Sequence, residues 1–261
     1  MDLFKEIKLF LLDMDGTLNF EDELIPGAKE FLDTLINNHK QFVYLTNNSS
    51  RSGKDYVKKM RVLGLPCEAH QVFTSGMAMG LFLKQNRLSQ TVYLVGTKAL
   101  EIEILSYGVK LVEEKPDIVV VGFDRELTYQ KLERACEFLC SGAEFLATNV
   151  DKVCPIKGGR YIPDCGSMCD MLEVATKKKP HYIGKPNRDM IDILAKEYHL
   201  ENHEIAMVGD RLYTDIATAI HAKARSILVL SGETTIHDVN ESSLKPDHIF
   251  TSVEELKDYF A

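Results

Sequence analysis

The chain has 261 residues, 45% of them hydrophobic, and carries a formal net charge of −8. This negative charge argues against a nucleic acid or an anionic membrane surface as the main partner. We see no tract long and apolar enough to span a bilayer, and charged residues interrupt the N-terminal region. We therefore expect a cytoplasmic protein without a secretory segment, built as one large domain or two modest ones.

The first predicted element is a buried strand, residues 8–12, that ends in two acidic residues. Its continuous apolar run is typical of a parallel strand covered on both faces. Asp13 and Asp15 follow the strand, and Gly16 lets the chain turn sharply. Two carboxylates at this position repel each other unless a cation or a shared proton offsets their charge. The pattern indicates a metal site and phosphate chemistry.

Strands and helices then alternate along the chain, after a predicted loop at residues 17–25. Apolar spacing and capping residues predict helices over 26–37, 53–63, 74–85, 98–107, 128–139, 167–176, 187–198, 214–223 and 252–260. Short apolar runs predict strands over 41–45, 91–95, 117–123, 144–148, 204–208, 225–230 and 247–250, and residues 149–163 suggest an irregular turn or hairpin. The alternation predicts an α/β fold with a parallel sheet covered on both faces.

The middle of the chain has its own strand-helix rhythm and could bury a small core of its own. We therefore expect residues 88–179 to form an inserted second domain. Residues 1–87 and 180–261 would together form the main domain.

Polar residues follow four of the predicted strands, and the carboxyl ends of parallel strands meet at one edge of a sheet. These residues are Asp13 and Asp15, Thr46 and Asn47, Lys185, and Asp210 with Asp215 a turn further on. Phosphoryl transfer requires this combination of groups. Asp13 could attack phosphorus, and Asp15 could protonate the departing oxygen and then deprotonate water.

The remaining strand-end groups would manage charge in such a reaction. Mg²⁺ could be held by Asp13, Asp210 and the backbone carbonyl of Asp15, and Mn²⁺ could replace it at an all-oxygen site. Lys185 would neutralise charge on the phosphate. Thr46 and Asn47 could hold phosphate oxygens, although on their own they could simply cap the next helix.

The segments DMDGTL, LTNNS, GKP and VGDRLYTD resemble, in order, the four motifs of the haloacid dehalogenase (HAD) superfamily. The LTNN form of the second motif and the middle segment, with ATNVDKVCP, are similar to the type IIA, NagD-like phosphatases. This resemblance implies a Rossmann-like HAD core with a parallel sheet and an inserted, substrate-selecting α/β cap domain. It also implies Mg²⁺-dependent hydrolysis of phosphate monoesters through an aspartyl-phosphate.

Carried over by position, the resemblance assigns a role to each motif residue. It makes Asp13 the nucleophile and Asp15 the general acid/base. It gives phosphate binding to Thr46, Asn47 and Lys185, metal binding to Asp13, Asp15, Asp210 and Asp215, and contact with the leaving group to Asn149 and Asp151. Asn19 and Lys177 depart from the usual family pattern, and we expect neither to touch the chemistry.

The substrate implied is a small phosphorylated metabolite such as a nucleotide or a sugar phosphate. Relatives of this type often associate through the cap, so a homodimer is one option. Three other functions fit parts of the pattern: a metal-independent dehalogenase, a signalling receiver that stores phosphate on aspartate, and a catalytically weak sensor of a phosphorylated metabolite. Asp15 argues against the first because halide departure needs no general acid, and the large insert argues against the second. A phosphomutase is a further variant, but its cap is normally inserted earlier, between the first two motifs.

The six cysteines are expected to be reduced thiols. Cys136/Cys140 and Cys165/Cys169 share a four-residue spacing, which makes a four-thiolate zinc site conceivable. Packing on helix faces is the simpler interpretation.

Overall fold

The computed structural model describes residues 3–20, 22–156 and 159–259. The strands are β1 (Leu9–Leu12), β2 (Asn19–Phe20), β3 (Glu23–Leu24), β4 (Gln41–Thr46), β5 (Val72–Thr74), β6 (Thr91–Val95), β7 (Lys110–Leu111), β8 (Ile118–Val121), β9 (Glu144–Ala147), β10 (Val153–Ile156), β11 (Arg160–Pro163), β12 (His181–Tyr182), β13 (Ile205–Gly209), β14 (Arg225–Val229) and β15 (His248–Phe250).

The α-helices are α1 (Leu3–Glu6), α2 (Ala28–Asn37), α3 (Gly53–Val62), α4 (Ser75–Asn86), α5 (Lys98–Ser106), α6 (Tyr129–Cys140), α7 (Cys165–Thr176), α8 (Asp189–Tyr198), α9 (Ala217–Ala222), α10 (Ile236–Glu241) and α11 (Val253–Asp258). A π-helical segment, Leu212–Ile216, precedes α9. Within the described ranges, none of these helices is long and apolar enough to cross a membrane.

The chain folds into two compact units. The first contains Met1–Thr46, Gly53–Phe73 and Lys185–Ala261, and the second contains Asn47–Ser52 and Thr74–Gly184.

The first unit is built on a six-stranded sheet with the order β15-β14-β13-β1-β4-β5. Strand β1 lies between β13 and β4 and pairs in parallel with both, Leu12 lying opposite Val208 on one side and Tyr44 on the other. All four residues of β1 are buried, as a strand covered on both faces requires. The α/β fold with a parallel sheet is therefore confirmed, and the carboxyl ends of β1, β4 and β13 share one edge.

The second unit contains a five-stranded parallel sheet with the order β12-β9-β8-β6-β7. Its core packs around residues such as Val119, Val121 and Phe145, together with apolar residues of α6 and α7. A separate antiparallel hairpin, β10–β11, precedes α7. This hairpin lies within the predicted turn region 149–163, of which residues 157 and 158 are outside the described ranges.

The second unit also includes residues 47–52, 74–87 and 180–184, which the sequence analysis assigned to the main domain. Two glycines on α4 explain the placement of this helix. A Cβ on Gly76 would lie 2.8 Å from Leu100 Cδ1, and a Cβ on Gly80 would clash with the ring of Tyr107. Helix α4 therefore packs closely against α5 and the turn that follows it, within the second unit.

The predicted loop at residues 17–25 contains a short antiparallel hairpin, β2–β3. Each of its strands has two residues, too few to produce a recognisable alternating pattern. Helix α10 was also not predicted. The C-terminal helix, predicted to reach Phe260, is described as far as Asp258, and Phe260 lies outside the described residues.

All six cysteines are free thiols. Among the described residues, the grouping of possible metal ligands contains carboxylates and no cysteine, so the zinc alternative gains no support. Lys177 ends α7 in the left-handed conformation, with φ 62°. This lysine therefore adopts the conformation that glycine would adopt most easily at the same position.

Candidate active site

The acidic loop leaves the sheet directly after β1. The Asp13 amide donates to Val208 O at 2.9 Å, which keeps the start of the loop beside β13. Gly16 has φ 96°, a conformation that favours glycine, and a Cβ there would clash with the Asp210 carboxylate. Glycine at this position therefore allows the turn and also leaves room for Asp210.

Three carboxylates meet at this edge of the sheet, and we call them the acidic cluster: Asp13, Asp210 and Asp215. Each offers an oxygen, and these oxygens all lie within 4.8 Å of one another. Asp210 follows β13, and Asp215 belongs to the π-helical segment and is fully buried. The sequence analysis had named all three as metal ligands, and the fold brings them together.

Lys185 bridges two members of the acidic cluster. Its Nζ donates to Asp13 Oδ1 at 2.5 Å and to Asp215 Oδ1 at 2.7 Å. The lysine is 4% exposed, so both contacts lie in a region with little water. Burial alone would lower the pKa of Lys185, but the two carboxylates outweigh that effect and raise it above its ordinary value. Lys185 therefore stays charged.

The cluster holds more negative charge than Lys185 can offset. Burial raises the pKa of Asp13 well above its ordinary value, Lys185 opposes the rise, and Asp215 and Asp210 add to it. Burial and then the charge of Asp215 raise the pKa of Asp210 to about 6. Arg211 also opposes the rise for Asp210, and a further cation at this position would relieve the repulsion that remains.

The acidic cluster fits a hard divalent cation. Asp210 Oδ1 is buried and has no hydrogen-bond partner among the described residues, whereas Asp210 Oδ2 accepts from the Glu233 amide at 2.7 Å. A Cβ at Gly232 would clash with the same carboxylate, so glycine leaves this space open. An all-carboxylate donor set suits Mg²⁺ or Mn²⁺.

The side chain of Asp15 lies outside the acidic cluster and is 60% exposed. Its Oδ1 accepts from Asn19 Nδ2 at 2.8 Å and from Lys59 Nζ at 3.1 Å. Asn19, which we expected not to touch the chemistry, therefore contacts the residue proposed as the general acid/base. Coordination of a metal by the Asp15 backbone carbonyl stays a prediction.

Thr46 is the last residue of β4 and is 9% exposed. It lies two residues beyond Tyr44, which pairs with Leu12 of β1. Thr46 is therefore at the same sheet edge as the acidic loop, where the sequence analysis expected it.

Asn47, Asn149 and Asp151 belong to the second unit and form one hydrogen-bond network. Asp151 Oδ2 accepts from Asn47 Nδ2 at 2.7 Å and from Asn149 Nδ2 at 2.9 Å. Asn149 Nδ2 also lies 3.1 Å from Asp164 Oδ1, and burial raises the pKa of Asp164 to about 6. The side-chain amides of Asn47 and Asn149 therefore both donate to Asp151, although the sequence analysis expected these two residues to bind substrate.

Asn19, Lys59 and Asp164 were not predicted as site residues. Lys59 is 44 positions from Asp15 along the chain and occupies an ordinary surface helix, so no local spacing indicates the contact. Asn19 directly follows the DGTL motif and was noted only as a departure from the family.

The raised pKa of Asp210 predicts a pH-dependent stability in chelator. Between the ordinary value of 3.8 and about 6, the folded state binds more protons than the unfolded state, so the free energy of unfolding falls as pH rises. Asp210→Asn removes this loss, and urea unfolding should find the variant roughly 1–3 kcal/mol more stable at pH 8. This difference in the free energy of unfolding between Asp210→Asn and the parent protein should largely disappear near pH 4.

Exposed Asp33→Asn is the matched control and should show no such difference. Adding Mg²⁺ should stabilise the parent protein and leave Asp210→Asn nearly unchanged. A variant that is less stable than the parent at pH 8 in chelator would contradict the charge account of the cluster.

Two family descriptions and several curated proteins match this chain. The haloacid dehalogenase-like hydrolase family matches residues 10–110, and a HAD-hydrolase-like family matches residues 182–256. The ribonucleotide monophosphatase NagD of Escherichia coli K12 is 33% identical over 96% of this chain and 98% of its own length. The dihydroxyacetone phosphatase of Corynebacterium glutamicum is 32% identical over 95% of this chain and 90% of its own length.

A solved structure resembles the whole chain. The 4-nitrophenylphosphatase from Thermotoga maritima superimposes with a TM-score of 0.93 at 42% identity, covering 98% of each chain. With its parallel sheets and these full-length relatives, the chain belongs to the haloacid dehalogenase-like hydrolases. Within that family it is a phosphatase of the NagD-like type.

Proposed function

We propose that this phosphatase is a Mg²⁺-dependent phosphomonoester hydrolase that forms an aspartyl-phosphate on Asp13. The observation that carries the proposal is the bridge from Lys185 to Asp13 and Asp215, with Asp210 in the same acidic cluster. A bound Mg²⁺ would be held by this cluster and would neutralise negative charge as a carboxylate approaches a phosphate.

The first half of the proposed reaction transfers the phosphoryl group to Asp13. A carboxylate oxygen of Asp13 forms a bond to phosphorus, and the bond from phosphorus to the ester oxygen breaks. The electron pair of that bond goes to the leaving oxygen, and Asp15 gives it a proton. Lys185 keeps the Asp13 carboxylate oriented by its 2.5 Å contact.

The second half hydrolyses the aspartyl-phosphate. Asp15, now a carboxylate, takes a proton from water as the water oxygen bonds to phosphorus. The bond from phosphorus to Asp13 breaks, and its electron pair returns to the carboxylate. Inorganic phosphate leaves, and both aspartates regain their starting protonation states.

The remaining roles are part of the same proposal. Thr46 and Asn47 hold phosphate oxygens, and Asn149 contacts the leaving group. The Asp151 contact to Asn47 supports a role for Asp151 in orienting that amide. The substrate class is a small phosphorylated metabolite, consistent with relatives named ribonucleotide monophosphatase, dihydroxyacetone phosphatase and acid sugar phosphatase.

Phosphate release from a panel of esters tests the proposal. Nucleoside monophosphates, sugar phosphates, a triose phosphate and 4-nitrophenyl phosphate are assayed with Mg²⁺, with Mn²⁺ and with chelator. We expect release from at least one metabolite, at least about 100-fold loss in chelator, and recovery on adding metal. Turnover that is unchanged in chelator would contradict the metal-dependent mechanism, and no release from any ester would contradict phosphomonoester hydrolysis itself.

A further inference from the structure

The carboxylate of Asp15 is held from one side only. Asn19 and Lys59 both donate to Oδ1, at 2.8 and 3.1 Å. Among the described residues, no group donates to Oδ2 of Asp15. The two oxygens of this carboxylate therefore differ in environment, one anchored and one available.

Asn19 is a rigid anchor because the turn fixes it through its backbone. The Gly16 amide donates to Asn19 O at 2.8 Å, and the Asn19 amide donates to Met14 O at 3.1 Å. Asn19 is fully buried, so its side chain has little freedom to leave Asp15. The hairpin that begins at Asn19 thus holds the amide beside the carboxylate.

Lys59 reaches Asp15 from α3, a separate element of the same unit. The helix is fixed by Tyr56 and Met60, which are buried on its inner face. The Lys59 side chain is 21% exposed, compared with 60% for Asp15, so the lysine is partly covered although the contact itself is exposed. A positive charge and an amide therefore converge on one oxygen from two independent elements.

We propose that Asn19 and Lys59 are positioning residues that hold Asp15 through Oδ1 and leave Oδ2 to transfer the proton. The assignment rests on the proposed role of Asp15 as general acid/base. In the first half-reaction the bond from Oδ2 to its proton breaks, and the proton bonds to the leaving oxygen. In the second half-reaction Oδ2 takes one proton from the attacking water, which restores the starting state.

Dependence on the leaving group separates positioning of the acid from a merely structural role. An alkoxide needs a proton as it departs, whereas 4-nitrophenolate departs readily without one. The value of kcat/KM reports the steps up to phosphorylation of Asp13, so hydrolysis of the aspartyl-phosphate does not mask the effect. The comparison uses the best alkyl phosphate from the ester panel and 4-nitrophenyl phosphate.

Lys59→Met should lower kcat/KM for the alkyl phosphate about 10-fold or more and change the value for 4-nitrophenyl phosphate by no more than about twofold. Lys59→Arg retains a donor and should recover most of the loss. Lys58→Met, on the exposed neighbour in the same helix, is the matched control and should leave both values unchanged. Asn19→Ala should show the same selective loss if circular dichroism shows that it folds.

A second measurement uses the Asp15→Asn background, in which the acid is absent. In the Asp15→Asn background, Lys59→Met should lower kcat/KM for the alkyl phosphate by less than a further factor of about two, because Lys59 acts through Asp15. If Lys59→Met lowered kcat/KM equally for both esters, or if its effect added in full to that of Asp15→Asn, the positioning role would be overturned. Either result would leave the proposed function intact. A parent enzyme without Asp13-dependent turnover would overturn both proposals.

Discussion

Asp13→Asn is expected to lower phosphatase turnover by at least about 10³-fold while the protein stays folded. An amide is a very poor nucleophile toward phosphorus, so the first half-reaction has no attacking group. The fold should persist because Lys185 keeps its 2.7 Å contact to Asp215 and one buried negative charge is removed. Steady-state release of 4-nitrophenolate, together with urea unfolding, measures both expectations.

Exposed Asp33→Asn is the control for this substitution, because it makes the same chemical change away from the acidic cluster. It should keep parental turnover. Residual hydrolysis by Asp13→Asn near the parent rate would show that Asp13 is not the nucleophile. Loss of turnover accompanied by unfolding would instead indicate a structural role, which the retained contact between Lys185 and Asp215 argues against.

Lys185→Met is expected to have the largest effect on stability. The lysine is 4% exposed and is the cation in direct contact with Asp13 and Asp215. Removing one partner of a buried ion pair leaves uncompensated charge, which costs about 3–5 kcal/mol. Urea unfolding at pH 8 in chelator should show a destabilisation of that order, and turnover should be lost as well.

Two further conditions identify charge as the cause of this destabilisation. Mg²⁺ should restore part of the stability of Lys185→Met, because the cation relieves repulsion within the acidic cluster. Adding Asp215→Asn should also recover stability, so the double variant is less destabilised than the sum of the single variants. A Lys185→Met variant as stable as the parent protein in chelator would contradict this account.

The acidic cluster could be predicted because its members follow predictable strands. Asp13 follows a buried apolar run, and Asp210 follows another, β13, that pairs with the first. Parallel pairing then requires the two side chains to emerge at the same sheet edge. Lys185 and Asp215 were expected from the same strand-end argument, and their motifs also resemble those of the family. For Lys185 the strand-end argument was wrong, because the strand before it, β12, belongs to the five-stranded sheet.

The contacts of Asp15 could not be predicted in the same way. Lys59 lies on a helix whose apolar spacing indicates burial of Tyr56 and Met60 but not the target of its long side chain. The contact between Asn19 and Asp15 depends on a hairpin with two-residue strands. Strands of two residues are too short to show a periodic pattern in the sequence.

The grouping of the chain into units shows a further limit of sequence patterns. Helix α4 has the expected extent, but its packing depends on Gly80, which admits the ring of Tyr107. The link between Asn47 and Asp151 joins residues 104 positions apart. Contacts between residues so far apart depend on the complete fold and cannot be predicted from the local spacing of residues.

Trapping the phosphorylated enzyme tests the central claim most directly. Asp15→Asn should form the aspartyl-phosphate from 4-nitrophenyl phosphate and hydrolyse it slowly, because the group that deprotonates water is missing. Acid quench followed by peptide mass spectrometry should then find one added phosphoryl group on Asp13, in the presence of Mg²⁺ and not in chelator. Release of 4-nitrophenolate without a labelled peptide, or a label on another residue, would contradict the mechanism.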